Sequence, residues 1–412
     1  MMNAEKIKFQ FVRNGTTAEE MPEENVIWID VGNRMGKGIL DHHGNASERD
    51  DSVCAAEMVY RNQNLVLDNI SDSNNLTIVG HTFPDFDCVS SAYLVAKLVQ
   101  EGTLSPEMEK LVQYAKLTDT GRINPSRNDI QNPYSILAAF GYMPKNEGVP
   151  FDELNTNIMK DGFKLLDYCL ERIKENPDLT FESPELIGEN SPFREEIELL
   201  KSASKEYETV VASAEETQMA LPQSDGIGHQ SVSGIFIKDI PDNKLTRGLM
   251  KAWLRNDGYV FTFLPSYEGN SYLTNDGQVR EDIKVNAVTI SVAPDCGVNL
   301  RGLGKRIEKA EAIECERMDI KRYSKGRNGE ISYTNRPGYD SPDPWYDGRG
   351  HGYEIIASPM SGSVLSVSEI NSIVKDYSKE IAMGEQNVSQ AGISLGEIRD
   401  AVENEKAKEQ EH

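Results

Sequence analysis

The chain has 412 residues, 38% of them hydrophobic and 27% charged, which suits a soluble globular protein with two or three domains. Its formal net charge is −24, with a pI near 4.7, so little positive charge is left for the basic stripe that long RNA or DNA requires. A small anionic ligand is still compatible with this balance, because bound metal ions supply positive charge locally. No run approaches the roughly 18–20 apolar residues that span a bilayer. The N-terminal MMNAEKIKFQFVRNG is polar and lacks the apolar centre of a signal peptide, so a cytoplasmic protein without a membrane partner is expected. Five dispersed cysteines, at 54, 88, 169, 296 and 315, form no CxxC pair and suit a reducing compartment. Cys54 and Cys88 fall in apolar helical patterns and read as buried filler.

In chain order, the first third alternates strands with helices. NVIWIDVG (25–32) and NLTIVGH (75–81) are apolar runs ending in polar or small residues, as central parallel strands do, and GILDHH (38–43) reads as a short strand beside them. Helical spacing follows in SVCAAEMVY (52–60) and CVSSAYLVAKLVQ (88–100). This predicts an α/β domain over 1–135, built on a parallel sheet with ligands outside the carboxyl ends of its strands. Residues 124–155, rich in Pro, Asn and Gly, read as a loop or hinge, and the helical stretch within 136–224 as a linker. SVSGIFIKD, YVFTFLP and VNAVTISVAP are β-branched and aromatic runs, with a helix after Leu303, which predicts a smaller α/β domain over 225–380. The charged residues 381–412 read as a partly flexible tail.

Chemistry concentrates in the first domain. The chain has six histidines, and three lie in two short motifs: ILDHHG supplies Asp41, His42 and His43, and GHTFPDFDCVSSA supplies His81, Asp85 and Asp87. Asp30 ends the strand VIWIDVG, and Asp119 lies in KLTDTGR. Carboxylates and imidazoles at neighbouring strand mouths suit an oxygen–nitrogen site for Mn2+ or another mid-row divalent ion, with Mg2+ and Co2+ as alternatives. Enough ligands are present for two ions about 3.5–4 Å apart, which together activate water and clamp the phosphoryl oxygens. Taken singly, such residues have plainer uses, and Asp87 is also placed to cap the helix that begins near Cys88.

These motifs resemble the DHH phosphoesterase superfamily, which includes inorganic pyrophosphatases, exopolyphosphatases, nanoRNases and cyclic-di-AMP phosphodiesterases. The pattern GHxxPDxDxxxSA is met by Gly80, His81, Pro84, Asp85, Asp87, Ser91 and Ala92, and the DHH motif by Asp41, His42 and His43. The resemblance implies that His81 and Asp85 hold one ion, that Asp87, His42 and Asp119 hold another, and that Asp30 bridges them. It also implies a phosphate-facing role for His43, with Asp41 orienting the imidazoles as a catalytic partner. The motif order is permuted: Asp30 and DHH precede the HxxxDxD motif, whereas the family has them the other way round.

In the second domain the family's GGGH signature is absent. NLRGLGKRIEKAE gathers Arg301, Lys305 and Arg306 with glycines at a helix start, a candidate phosphate site or a plain helix entry. The stretch 335–366 offers Arg336, Arg349 and His351 for phosphate, and Tyr339, Trp345 or Tyr346 for stacking on a base, or else forms a structural loop. The expected activity is two-metal hydrolysis of a small nucleotide, either a short oligonucleotide or a cyclic dinucleotide. An inorganic pyrophosphatase or short-chain polyphosphatase is the alternative enzyme, and a nucleotide sensor without turnover the alternative class. A homodimer is compatible with all three.

Overall fold

The computed structural model describes residues 7–13, 16–18, 20–43, 53–188, 190–269, 272–273, 279–320, 345–347, 354–359 and 362–390. They fall into two compact units, one of Met1–Ala212 with Pro241–Asp257, the other of Ser213–Ile240 with Gly258–Arg349 and Tyr353–His412.

The first unit is α/β. Its strands are β1 (Lys8–Val12), β2 (Val26–Ile29), β3 (Met35–Gly36) and β4 (Ile39–Leu40), followed by helices α1 (Ala55–Arg61) and α2 (Gln63–Leu67), and then strand β5 (Thr77–His81). Helices α3 (Phe86–Glu101), α4 (Met108–Asp119), α5 (Pro133–Phe140), α6 (Phe151–Glu175) and α7 (Arg194–Ser213) follow. The sheet order is β1-β5-β2-β4-β3, parallel except for the antiparallel edge pair β3–β4. All five residues of β5, TIVGH, are buried, as a strand covered on both faces requires. Pairing of Trp28 with both Ile39 and Val79 brings the carboxyl ends of β2, β4 and β5 to one edge, with Asp30, Asp41 and His81 as neighbours. Close packing sets the helices on this sheet. A Cβ on Gly80 would lie 2.8 Å from the Cys88 sulfur, so glycine lets α3 approach β5 closely.

Several expectations are corrected here. KFQFV, unread as a strand, is β1, an edge strand whose partial exposure blurs the alternation. The stretch 124–155 contains α5, with Asn132 as its N-cap and Pro133 opening the first turn, and the start of α6. The helices expected to form a linker are core elements of the first unit. Phe163 of α6 packs edge-on against Phe9 of β1 and Tyr93 of α3, with ring centroids 5.7 and 5.5 Å apart. A Cβ on Gly162 would lie 2.6 Å from Val89.

The second unit begins at Ser213, earlier than expected, with β6 (Glu215–Pro222) and β7 (His229–Phe236). The chain then returns to the first unit for α8 (Lys244–Asn256) before β8 (Phe261–Gly269), β9 (Tyr272–Leu273), β10 (Val279–Arg280) and β11 (Val285–Val292). Helix α9 (Leu303–Arg317), strands β12 (Tyr346–Asp347) and β13 (Glu354–Ala357), and helix α10 (Val367–Gln390) complete it. Six strands form the sheet β12-β13-β11-β8-β7-β6, antiparallel except for β7–β8. Its core joins Phe236, Phe261, Phe263 and Ile290 to Ile307 of α9 and to Ile370 and Val374 of α10. The span expected to be a tail is helical to Gln390, and residues 391–412 lie outside the described residues. Among the described residues, no helix is long and apolar enough to cross a membrane.

Candidate metal centre

Three strand ends and two helices deliver the cluster. Asp30 leaves β2 with a left-handed backbone, φ 55°, and its N–H donates to the Leu40 carbonyl at 3.0 Å. Its carboxylate lies between imidazoles: Oδ2 is 3.2 Å from His81 Nε2, and Oδ1 is 3.4 Å from His42 Nε2 and 3.5 Å from His43 Nδ1. On its far side, His42 Nε2 is 3.9 Å from Asp87 and 3.8 Å from Asp119. His81 Nδ1 is 3.0 Å from the Thr82 carbonyl, which holds the proton on Nδ1 and turns Nε2 to the cluster.

The two motif aspartates divide their work differently from the expected capping role. Asp85, not Asp87, is the N-cap of α3: its Oδ1 accepts from the Cys88 N–H at 3.0 Å and lies 3.6 Å from His81 Nε2. Asp87, one residue inside the helix, accepts from Ala55 N and Ala56 N at 2.7 and 2.9 Å and so binds the start of α1 to the site. Asp41 is fully engaged. Its Oδ2 accepts from Asn33 N at 2.5 Å, and its Oδ1 is 2.8 Å from His43 Nδ1, which fixes that ring. His43 and Asp85, with side chains 46% and 55% exposed, are the open members of the group.

Among the described residues, three donor sets have the reach to hold an ion: Asp30, His81 and Cys88; Asp30, His42 and His43; and His42, Asp87 and Asp119. Cys88, read from the sequence as filler, joins the first set because the helical turn after Asp85 brings its sulfur back under His81 and Gly80. Its thiol is pushed up to about 11 by burial. Electrostatics shows crowding. Burial, with the charges of Asp30 and Asp85, pushes Asp119 up to about 6 against the opposing effect of His42, and burial likewise raises Asp87. Burial opposes the charged form of His42, but Asp119 and Asp30 raise it well above the ordinary imidazole value. Burial would also raise Asp30, yet the hydrogen bond with His81 and the nearby His42 imidazole hold it below the usual carboxylate range. Divalent cations relieve the same crowding.

A metal fits these residues on a second ground. Asp30 Oδ1 and both ring nitrogens of His42 are buried without a hydrogen-bond partner, a costly state for polar atoms unless they ligate something. The buried Asp, His and Cys groups can therefore bind a metal ion.

Other expected contacts fall elsewhere. Arg306 is committed to a bidentate pair with Glu380 at 2.8 and 2.7 Å, and its guanidinium covers Tyr377. Arg301 and Lys305 are exposed at the start of α9, where Gly302 is the left-handed N-cap. Trp345 is no stacking platform. It is wholly buried in the second unit's core, with its indole N–H donating to Glu311 at 3.2 Å. Tyr346 belongs to β12, and Arg336, Tyr339, Arg349 and His351 lie outside the described residues.

The sequence reading missed the cations of α8, because 225–380 was assigned wholly to the second domain. Helix α8 packs in the first unit: Thr246 donates to the Ala203 carbonyl at 3.2 Å, and Trp253 meets Tyr207 at 5.4 Å. Lys251, one turn from Arg255, is pushed down to about 8 by burial and by Arg255, against the opposing charge of Asp119. No family model, curated protein or solved structure matches the chain.

Proposed function

We propose that the chain is a metal-dependent phosphoesterase of the DHH type, with its motifs in permuted order, that hydrolyses a small nucleotide. The observation that carries this reading is the position of Asp30, whose two oxygens reach His81 on one side and His42 on the other. A carboxylate so placed is what two adjacent ions need as a shared ligand.

His81 and Asp85, with Cys88 beside them, would hold one ion, and His42, Asp87 and Asp119 the other, with Asp30 between. When bound, two such ions, Mn2+ suiting these donors, supply Lewis acidity to phosphoryl oxygens and lower the pKa of water. The chain's own residues hold this arrangement and its protons. Asp41 Oδ1, 2.8 Å from His43 Nδ1, fixes that ring and leaves Nε2 as its nitrogen for a phosphoryl oxygen. The helix ends tied by Asp85 and Asp87 fix where both carboxylates stand.

Protein stripped with a chelator and reloaded with Mn2+ should bind two ions per chain. It should also release product from linear or cyclic dinucleotides. Turnover of pyrophosphate alone would instead favour the pyrophosphatase reading. Bound metal with no turnover of any substrate would leave a nucleotide-binding module and sink the enzymatic one. His42→Ala and Asp87→Asn should each lose metal and rate, the latter keeping an oxygen for the α1 N–H groups. Unchanged metal content and rate in both would refute the site.

A further inference from the structure

Beside the metal cluster the first unit holds a cavity of about 280 Å3 whose walls include Phe83, Asp85, Tyr134, Tyr142, Gly248 and Leu249. That size lies at the lower edge of the range for small-ligand sites, roughly 300–1,000 Å3, and suits one planar ring system rather than two. Asp85 belongs to both places, since the carboxylate in the cavity wall also lies 3.6 Å from His81.

The lining is aromatic and in part exposed, unlike a core void. Phe83 is 58% exposed and Tyr142 37%. Phe83 also has a left-handed backbone, φ 55°, rare for a bulky side chain and costing of order 1–3 kcal/mol. It is held there from outside its own segment: its N–H donates to Asn155 at 3.0 Å, and its ring meets Phe151 edge-on at 4.7 Å. One edge contact leaves most of this strained ring open to the cavity side and solvent, two residues before a metal-ligand candidate, and a stacking role accounts for that exposure. Tyr134 links the two places, because the charges of Asp85 and Asp119, after burial, push its phenol up to about 12. On α8, Gly248, Lys251 and Arg255 share one helical face by their spacing, the first lining the cavity.

We propose that this cavity receives the nucleobase of the substrate while its phosphate lies on the Asp30 cluster, with Lys251 and Arg255 of α8 neutralising that phosphate. This rests on the phosphoesterase reading above and assigns a place to the base of its nucleotide substrate. Pyrophosphate and polyphosphate would leave the cavity unused. The base is recognised by stacking and shape, so selectivity between bases should be modest.

Full-length protein loaded with Mn2+ tests this by calorimetric titration with adenosine 5′-monophosphate, ribose 5-phosphate and inorganic phosphate. The nucleotide should bind more tightly than ribose 5-phosphate. Phe83→Ala should remove about 5- to 150-fold of that affinity, the range expected for one stacked base, and leave phosphate binding unchanged. Gly248→Phe should act likewise by filling the cavity, since a Cβ there meets only the Tyr142 hydroxyl, at 3.6 Å. Lys251→Met should weaken nucleotide and phosphate alike. Equal affinity for nucleotide and ribose 5-phosphate, or wild-type nucleotide affinity in both Phe83→Ala and Gly248→Phe, would overturn the proposal even if Mn2+ binding and pyrophosphate hydrolysis were intact. Failure of the phosphoesterase reading would show separately, as absent turnover in protein that still binds the nucleotide.

Discussion

Asp30 combines three uncommon properties: a left-handed backbone, near-complete burial, and imidazoles on both sides of its carboxylate. Its neighbours keep protons that they would ordinarily give up. The folded chain holds Asp119 at about 6, so this carboxyl costs stability as pH rises from the ordinary value of 3.8 through about 6. His42 and His81 are raised, so their contribution is full below about 6.5 and is lost as pH climbs through their higher folded values. The two effects run the same way. Chelator-treated protein should therefore melt at a lower temperature at pH 8 than at pH 6, whereas added Mn2+ should raise the melting temperature more at pH 8, where fewer protons compete. Scanning fluorimetry at the two pH values checks both. A metal-free melting temperature that rises towards pH 8 contradicts this electrostatic picture.

At the scale of elements, α3 and α6 meet through a glycine. Gly162→Ala would bring a Cβ to 2.6 Å from Val89 and 2.9 Å from Leu137, overpacking that should cost roughly 1–3 kcal/mol. The same change at Gly384 in α10, where nothing lies within 4 Å, should instead stabilise by about 0.5–1 kcal/mol through helix propensity. Urea unfolding of the two variants measures the opposite signs, and equal effects would refute the tight α3–α6 contact. The elements bearing the candidate metal residues were legible because each carries a short-range signal: an apolar strand ending in Asp or His, or a helix opening on PDFD. What escaped had no such signal. Strand β1 is half exposed, and α5 opens on Asn-Pro, which reads as a turn until the helix behind it is seen. Trp345 stands among Pro, Gly and Asp, which suggests a loop, yet its ring is core. Nothing local marks Lys251 as feeling the charge of Asp119, because that depends on a long-range return of the chain.

At the scale of the molecule, that return decides what can be cut. Helix α8 buries Leu245, Leu249, Trp253 and Leu254. At roughly 1.5–3 kcal/mol for each large side chain buried, the four together are comparable with the roughly 5–15 kcal/mol that stabilises a typical domain. A fragment ending at residue 224, the boundary that composition suggests, lacks all of them. It should show no cooperative thermal transition by circular dichroism and should not retain Mn2+. A cooperative melt with bound metal would mean that α8 is dispensable to the first unit.

The interleaving of the two units also bears on how the protein is made. An N-terminal domain ordinarily folds while the rest of the chain is still being synthesised, at roughly 5–20 residues per second. Here the nascent chain must first add β6 and β7, which belong to the other unit, before α8 exists to complete the first. For several seconds on the ribosome the unit carrying the Asp–His cluster therefore waits with the apolar seat of α8 uncovered. Exposed apolar surface of this kind is what chaperones bind, so slowed translation across 213–257 should lower the yield of folded protein more than slowing anywhere downstream.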